Sequence, residues 1–236
     1  MTTTLITGAN KGLGFETARR LVAAGHTVYV GSRDAGLGAR AAEEIGARPI
    51  QLDITDDASV AAAADTIAAD GGLDVLVNNA GIAGEWGPDN NVVGAADLTV
   101  DLMRNTFETN VFGLVRVTHA FLPLLQKSAA PVVVNVSSGL ASLSRMSTPG
   151  GPGYNYPGVA YPASKTTVNA LTIQYAKAFP HMRINAVEPG FTATDLNRNS
   201  GAQTVEQGAE IIVRMAQVAP DGPTGGYFGN QGPLPW

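Results

Sequence analysis

Tyr161 and Lys165 are four residues apart at the start of a segment with helical character. Positions i and i+4 share one face of a helix, so the phenol and the ammonium group are expected to be neighbours. A free tyrosine has a pKa of about 10 and exchanges its proton poorly near neutral pH. A nearby cation favours the phenolate, and lowering the pKa by about three units requires roughly 4 kcal/mol. The pair therefore predicts an acid–base site, although the same spacing often occurs by chance.

Further polar side chains stand where predicted strands end. Ser137 and Ser138 close a run of β-branched residues, and the segment 78–81 (Asn-Asn-Ala-Gly) closes another. Ligands of parallel sheets bind outside the carboxyl ends of the strands, so a hydroxyl group there can donate to a carbonyl oxygen. Ordinary turns are the alternative for both segments. Asn110, inside a predicted long helix, either faces solvent or serves the site.

A glycine-rich turn follows the first predicted strand and opens the first predicted helix, over residues 7–14. Gly8 allows a tight turn, Gly12 allows close approach to the backbone, and Gly14 allows the helix to pack near the sheet. The free amides and the positive end of the helix dipole then face an anion. The turn therefore predicts a dinucleotide phosphate site. The alternative is a glycine-rich turn without a ligand.

The end of the second strand indicates which dinucleotide fits. A carboxylate there would accept hydrogen bonds from a ribose 2′-hydroxyl. This chain has Ser32 and Arg33 instead, and Arg33 and Lys11 are both placed to meet a 2′-phosphate. NADP(H) is therefore favoured over NAD(H), the alternative being that both cations are solvated. Asp53, after the third strand, is either an adenine contact or a turn residue.

Short apolar runs alternate with helical patterns along the whole chain. The predicted strands are Thr4–Thr7, Thr27–Gly31, Pro49–Leu52, Leu73–Val77, Val132–Val136, Arg183–Val187 and Gly226–Phe228. The predicted helices are Gly12–Ala24, Asp34–Gly46, Asp56–Asp70 with Thr55 as N-cap, Leu102–Gln126, Pro162–Phe179 and Val205–Val218. This alternation predicts one α/β domain over 1–236: a Rossmann-type, doubly wound parallel sheet of about seven strands with helices on both faces. A Gly/Pro-rich insertion at 142–158 is either a binding loop or a surface loop.

Composition excludes several other classes. The 15 basic against 20 acidic residues give a net charge of -5, which disfavours nucleic-acid binding. Without cysteine there are no disulfides or thiolate metal sites, and His26, His119 and His181 are too scattered for a metal cluster. Ser138 lacks the G-x-S-x-G context of a serine hydrolase. No signal peptide or membrane-spanning run is visible, so a cytoplasmic location is expected.

Together these motifs resemble the short-chain dehydrogenase/reductase family, in family order, at roughly family spacing and over essentially the whole chain. The Lys11 turn, Arg33 and the C-terminal Gly-Pro-Leu-Pro-Trp are most similar to its carbonyl-reductase-like, NADPH-using branch. The resemblance implies an NADPH-dependent oxidoreductase that reduces a ketone or aldehyde carbonyl to an alcohol, reversibly. It implies the following catalytic set: Tyr161 as general acid or base, Lys165 lowering its pKa and binding the nicotinamide ribose, Ser138 holding the carbonyl oxygen, and Asn110 holding a water.

The resemblance also implies a set of residues that contact the cofactor. They are Gly8, Asn10, Lys11, Gly12, Leu13, Gly14, Arg33, Asp53, Ile54, Asn79, Ala80, Gly81, Tyr161, Lys165, Pro189, Gly190, Thr192 and Thr194. The implied partner is a small carbonyl or alcohol substrate. The intact catalytic set argues against the alternative, a non-catalytic NADP(H)-sensing module.

One departure from the family pattern is the separation of Ser138 and Tyr161, which are 23 positions apart. The extra residues fall in the insertion, which in carbonyl-reductase-like relatives covers a helix face used for tetramer formation. Its shorter form here leaves a dimer, a tetramer and a monomer open. Candidates for lining the substrate pocket, with simple packing as the alternative, are Met146, Tyr154, Tyr156 and Trp86.

Overall fold

The computed structural model describes residues 2–87 and 91–236 and shows the predicted α/β architecture. The strands are β1 Thr3–Ile6, β2 Thr27–Ser32, β3 Arg48–Gln51, β4 Val75–Asn78, β5 Val132–Val136, β6 Arg183–Val187, β7 Tyr227–Gly229 and β8 Gly232–Pro233. They form one sheet in the order β3-β2-β1-β4-β5-β6-β7-β8, parallel from β3 to β7. The short β8 pairs antiparallel with β7 and is the strand that the sequence did not predict. The doubly wound prediction is confirmed.

Helices cover both faces of the sheet. They are α1 Gly12–Ala23, α2 Ala35–Ile45, α3 Asp57–Ala69, α4 Val100–Phe107, α5 Leu114–Leu125, α6 Leu143–Ser147, α7 Ala160–Ala178 and α8 Val205–Ala216. Alternate residues of the central strands enter two separate apolar clusters. Leu5 and Leu76 pack in one cluster, whereas Ile6 and Val77 pack in the other. Because both faces are covered, the central strands β4 and β5 are fully buried and almost entirely apolar.

The long helix predicted over Leu102–Gln126 is wrong as a single element. The chain instead forms α4, a π-helical segment Glu108–Gly113, and α5. Asn110 lies in the π segment and is 2% exposed. A π-helical turn interrupts regular spacing and is common at functional sites, and apolar periodicity does not reveal it.

Two local predictions are also corrected. The N-cap of α3 is Asp56, whose carboxylate accepts from the Ala58 amide, and not Thr55. The Thr55 hydroxyl instead donates to Asp53 Oδ1 at 2.7 Å. The irregular insertion at 142–158 contains α6, capped by Ser142. Both differences arise from side-chain hydrogen bonds that propensity alone does not rank.

Candidate active site

Ser138, Tyr161 and Lys165 come together beyond the carboxyl end of β5. Ser138 follows the strand, and Tyr161 is the second residue of α7, so Lys165 lies one turn further along. Lys165 Nζ is 5.8 Å from the centre of the Tyr161 ring, and the Ser138 side chain hydrogen-bonds the phenol. The structure therefore brings these three predicted catalytic side chains together, and the helical neighbour relation is as expected.

Burial sets the protonation state of Lys165. The side chain is 4% exposed, and Nζ donates to the Val136 carbonyl oxygen at 2.8 Å. Burial lowers the pKa of Lys165 to about 8, because the charged form loses its hydration. A Cβ atom on Gly81 would lie 3.4 Å from Nζ, so glycine at this position leaves room for the ammonium group.

Tyr161 is held in its protonated form. Burial raises the pKa of its phenol to about 12; the hydrogen bond from Ser138 opposes this shift, and the carboxylates of Glu188 and Glu85 add to it. Burial therefore dominates the pKa of the phenol in the protein by itself, and the predicted lowering by Lys165 stays a prediction. A protonated phenol is the form that a general acid requires.

Asn110 is buried at the site rather than turned to solvent. Its Oδ1 accepts from the Ile82 amide at 2.8 Å. Its Nδ2 donates to the Ile82 carbonyl at 2.9 Å and to Ser164 Oγ at 3.0 Å. The side chain therefore joins the segment after β4 and the π-helical turn to α7. Its predicted role in holding a water stays a prediction.

The glycine-rich turn has the geometry that a dinucleotide phosphate needs. Gly8 and Gly12 have φ of 63° and 56°, which favour glycine. The N-cap of α1 is Lys11, which has no acceptor group to satisfy the first amides, whereas α2 and α3 are capped by aspartates. Anions bind such free helix N-termini. The donor set therefore fits a pyrophosphate.

Asn79 holds this turn in place. Its Nδ2 donates to the carbonyl oxygens of Thr7 and Gly8 at 2.9 and 3.1 Å. A Cβ atom on Gly14 would lie 2.5 Å from the same nitrogen, so α1 approaches the Asn79 side chain closely. Ala80 packs against Gly8 in the same way, 3.1 Å from a Cβ atom built there. The segment after β4 thus fixes the shape of the phosphate turn.

The two cations predicted to meet a 2′-phosphate have different surroundings. Arg33 is exposed just beyond β2, and its charge helps to lower the pKa of Asp53, whose Oδ1 also accepts from the Thr55 amide. Lys11 forms an exposed ion pair with Asp195 at 2.6 Å, on the segment that follows β6. This ion pair therefore links the glycine-rich turn to the segment after β6. Sequence reasoning missed this contact.

Three further predicted cofactor contacts lie on two segments: the glycine-rich turn with the start of α1, and the stretch after β3. Asn10 lines a surface groove beside Lys11, and Leu13 packs close to Gly208 of α8. Ile54 is buried at the end of β3, where its carbonyl accepts from Arg116. Contact of these residues with a cofactor stays a prediction.

The segment after β6 is shaped by Glu188. Its Oε1 accepts from the amide of Gly190 at 3.0 Å, and Gly190 has φ of 85°. Pro189 and Thr192 are buried, and Thr194 caps the short 3-10 turn Asp195–Asn197. The Glu188 carboxylate therefore holds the backbone of the predicted nicotinamide segment at Gly190, and its charge acts on Tyr161. Glu188 itself was not predicted, since a single acidic residue at a strand end gives no motif.

Residues near the C-terminal end of the chain contact the backbone of Ser138 and of the segment that follows it. The Tyr227 hydroxyl donates to the Ser138 carbonyl oxygen at 2.5 Å, and its ring stacks on Trp236 with centroids 5.4 Å apart. The Trp236 carbonyl accepts from the Ser144 amide at 3.0 Å. The C-terminal segment is therefore part of the serine's surroundings, which no local sequence signal indicates.

The four candidate pocket residues differ in exposure. Tyr154 is 47% exposed, and Met146 is partly buried. Trp86 is partly buried, with the Arg198 guanidinium 5.4 Å from its ring centre. Tyr156 donates its hydroxyl to Glu85 at 3.0 Å. Trp86 and Tyr156 therefore have packing and hydrogen-bonding roles, and contact with a substrate stays a prediction for all four.

Other kinds of site find no support in the part of the chain that the structure describes. Within residues 2–87 and 91–236, no three His, Asp or Glu side chains are grouped to hold a metal ion. His26 Nδ1 lies 2.9 Å from the Thr4 hydroxyl, and burial lowers the pKa of its ring. In the same ranges, no helix has both the length and the apolar content to cross a membrane.

Comparison with known proteins identifies the family. The short chain dehydrogenase profile matches residues 2–205. Short-chain dehydrogenase/reductase 1 of Saponaria officinalis is 34% identical, over 95% of this chain and 92% of that protein. Salutaridine reductase from Papaver somniferum superimposes with a TM-score of 0.83 at 30% identity, covering 98% of this chain and 100% of that one. The NADPH-bound carbonyl reductase from chicken fatty liver has a TM-score of 0.83 at 25% identity, covering 100% and 99% of the two chains. The chain belongs to the short chain dehydrogenase family.

Proposed function

We propose that this protein is an NADPH-dependent reductase of ketones or aldehydes. The observation that carries the proposal is the arrangement of Ser138, Tyr161 and Lys165 beside a phosphate-binding turn, on one edge of one sheet. Two of the similar structures are named reductases, and one of them holds NADPH. The cofactor, when bound, supplies the hydride, so the protein contributes orientation and proton transfer.

Each of the four candidate catalytic side chains has a separate role in this proposal. Ser138 donates a hydrogen bond to the substrate carbonyl oxygen and polarises it. Tyr161, protonated at neutral pH, gives its proton to that oxygen as the alcohol forms. Lys165 keeps a cation beneath the tyrosine and binds the ribose hydroxyls. Asn110 holds the helix bend that lets these groups meet, and holds a water near Lys165.

The preference for NADP(H) rests on charge. The end of β2 presents Arg33 in place of a carboxylate, and Lys11 lies at the mouth of the phosphate turn. A 2′-phosphate would be attracted by both cations, whereas a carboxylate would repel it. The ion pair of Lys11 with Asp195 is exposed, so Lys11 can exchange this partner for a phosphate at little cost.

The substrate is expected to be largely apolar. Of the eight exposed large apolar side chains in the described residues, five lie on the insertion, on the segment after Gly190 and at the C-terminal end, and they are Leu143, Tyr154, Phe191, Leu196 and Trp236. Leu143 and Tyr154 belong to the insertion, Phe191 and Leu196 follow Gly190, and Trp236 lies against the Ser138 segment. Apolar surface around a few polar groups is typical of small-molecule sites. The cytoplasmic location and the oligomeric state stay predictions.

An NADPH-oxidation assay tests the proposal. Purified protein is mixed with NADPH and a panel of cyclic, aromatic and aliphatic ketones and aldehydes, and the absorbance of NADPH is followed. NADPH affinity is measured separately by its fluorescence. We expect turnover of at least one apolar carbonyl and tighter binding of NADPH than of NADH. Tight binding of NADPH without turnover on any carbonyl would favour a non-catalytic sensing module instead.

A further inference from the structure

Glu85 is a fully buried carboxylate beside the proposed acid. It is 0% exposed and lies in the segment after β4, far in sequence from α7. We infer that Glu85 is a positioning residue that fixes the start of α7, and thereby Tyr161, and couples it to the 142–158 insertion. This inference rests on the proposed function, because it concerns the geometry of the same acid.

One carboxylate oxygen holds the helix end. Glu85 Oε1 accepts from the backbone amide of Tyr161 at 2.9 Å. The residue before α7 is Val159, whose side chain has no acceptor for the free amides of the first turn. A negative charge near a helix N-terminus is also favoured by the helix dipole. Glu85 therefore acts as a cap supplied from a distant loop, and it bonds the backbone of the reacting residue itself.

The other oxygen holds the insertion. Tyr156 donates its hydroxyl to Glu85 Oε2 at 3.0 Å. A Cβ atom on Gly158 would lie 2.4 Å from that oxygen, so glycine at this position allows the carboxylate to enter. The insertion borders the substrate site, and Tyr161 carries the proton. A single buried carboxylate thus ties the position of the loop to the position of the acid.

Glu85 is itself anchored by its own loop. Its carbonyl oxygen accepts from the Val93 amide at 2.7 Å, and the following residue, Trp86, forms a β-bridge with Val92. These contacts hold the backbone of Glu85 and Trp86 against that of Val92 and Val93. The carboxylate that caps the helix therefore extends from a backbone position that is itself hydrogen-bonded.

The charge of Glu85 also acts on the phenol. The titratable groups around Tyr161 are Glu85 and Tyr156 from one side, Glu188 and Tyr227 from the β6 and β7 side, and Lys165 from its own helix. Glu85 and Glu188 both raise the pKa of Tyr161, since a second negative charge nearby is unfavourable. The clamp therefore favours the protonated phenol, which is the form needed for reduction.

Two substitutions separate the charge from the hydrogen bonds. In Glu85→Gln, the amide oxygen can still accept from the Tyr161 amide, and the amide nitrogen can donate to the Tyr156 oxygen. The geometry is retained and the charge is lost. Tyr156→Phe keeps the charge and the helix cap but releases the insertion. Glu210→Gln, at an exposed site on α8, is the matched control for loss of one carboxylate.

The pH dependence of kcat in the alcohol-oxidising direction gives the first readout. Glu85→Gln is expected to shift the acidic limb of that profile to lower pH by about one unit, because the phenol ionises more readily. Tyr156→Phe is expected to raise KM while leaving that limb in place. Glu85→Ala, which loses both bonds, is expected to lower kcat roughly ten- to a hundredfold with NADPH affinity nearly unchanged. A profile of Glu85→Gln that superimposes on those of the wild type and Glu210→Gln would refute the effect of the charge, and a wild-type kcat in Glu85→Ala would overturn the positioning role.

A second readout does not depend on turnover. Amide hydrogen exchange at residues 156–165 is expected to accelerate in Glu85→Ala and to stay near the wild-type rate in Glu85→Gln. Equal exchange in Glu85→Ala and wild type would refute the clamp. If Glu85→Ala does not fold, Tyr156→Phe decides, because wild-type exchange at residues 156–160 and a wild-type KM in that variant would refute the link between Glu85 and the insertion. A wild-type protein inactive on every carbonyl would refute the proposed function, while hydrogen exchange would still test the positioning role.

Discussion

Replacing Lys165 by methionine is expected to stabilise the protein while removing its activity. Lys165 is 4% exposed, and burial lowers the pKa of its amine from 10.5 to about 8. The folded state therefore holds the proton less tightly than the unfolded chain does. Methionine has a similar length without the charge, so Lys165→Met removes the cost of burying an ammonium group.

The size and the sign of the effect follow from the two pKa values. Between pH 8 and 10.5 the unfolded chain binds the proton that the folded protein has released, so the free energy of unfolding rises with pH. At pH 7 the buried, charged amine lowers the free energy of unfolding by about 3 kcal/mol. By about pH 9.5 this destabilisation has decreased by about 2 kcal/mol. Losing the hydrogen bond to the Val136 carbonyl costs roughly 1 kcal/mol at every pH. This loss therefore changes the stability difference between the two proteins by a constant amount and does not affect how that difference depends on pH.

Urea unfolding of both proteins at several pH values from 7 to 9.5 measures this directly. The variant is expected to be more stable at pH 7, and the difference is expected to shrink by about 2 kcal/mol by about pH 9.5. Buried tyrosines titrate in both proteins, so their effect cancels in the comparison. Parallel pH trends for the wild type and Lys165→Met would show that the buried amine is not perturbed as described.

Three further substitutions test separate parts of the site. Arg33→Asp is expected to weaken NADPH binding roughly ten- to a hundredfold and NADH binding far less; equal losses in a fluorescence titration would mean that Arg33 does not contact the 2′-phosphate. Gly14→Ala places a Cβ atom 2.5 Å from Asn79 Nδ2, so it should lower stability by about 1–3 kcal/mol and impair cofactor binding, and a wild-type melting temperature would count against the close approach. Tyr227→Phe removes the hydrogen bond to the Ser138 carbonyl and should lower kcat several-fold at unchanged NADPH affinity; an unchanged kcat would show that this support is dispensable.

The sequence predicted the sheet and the helices that surround it because each rests on local patterns. Continuous apolar strands and the helix after the glycine-rich turn were all recognisable, and the ends of β5 and β6 were predicted to the residue. Features that depend on side-chain geometry could be predicted less well from the sequence. The π-helical turn at Asn110 and the aspartate cap at Asp56 both depend on individual hydrogen bonds. Local propensity does not rank such bonds.

The residues that sequence reasoning missed act across long separations. Glu85 contacts the Tyr161 amide 76 positions away, and Tyr227 contacts the Ser138 carbonyl 89 positions away. Neither residue belongs to a motif, and only the folded chain places it near the acid. The raised pKa of the Tyr161 phenol was not predicted for a related reason, because burial depends on every neighbour, whereas the spacing indicated only Lys165.

The central claim is that Tyr161 supplies the proton that accompanies hydride transfer. It is tested most directly by measuring NADPH affinity and carbonyl turnover together for Tyr161→Phe. Phenylalanine fills the same space, and Glu85 still caps the backbone amide, so the fold and NADPH binding are expected to be retained. Turnover is expected to fall by about a hundredfold or more. Turnover close to the wild-type rate, with NADPH still bound, would contradict the account.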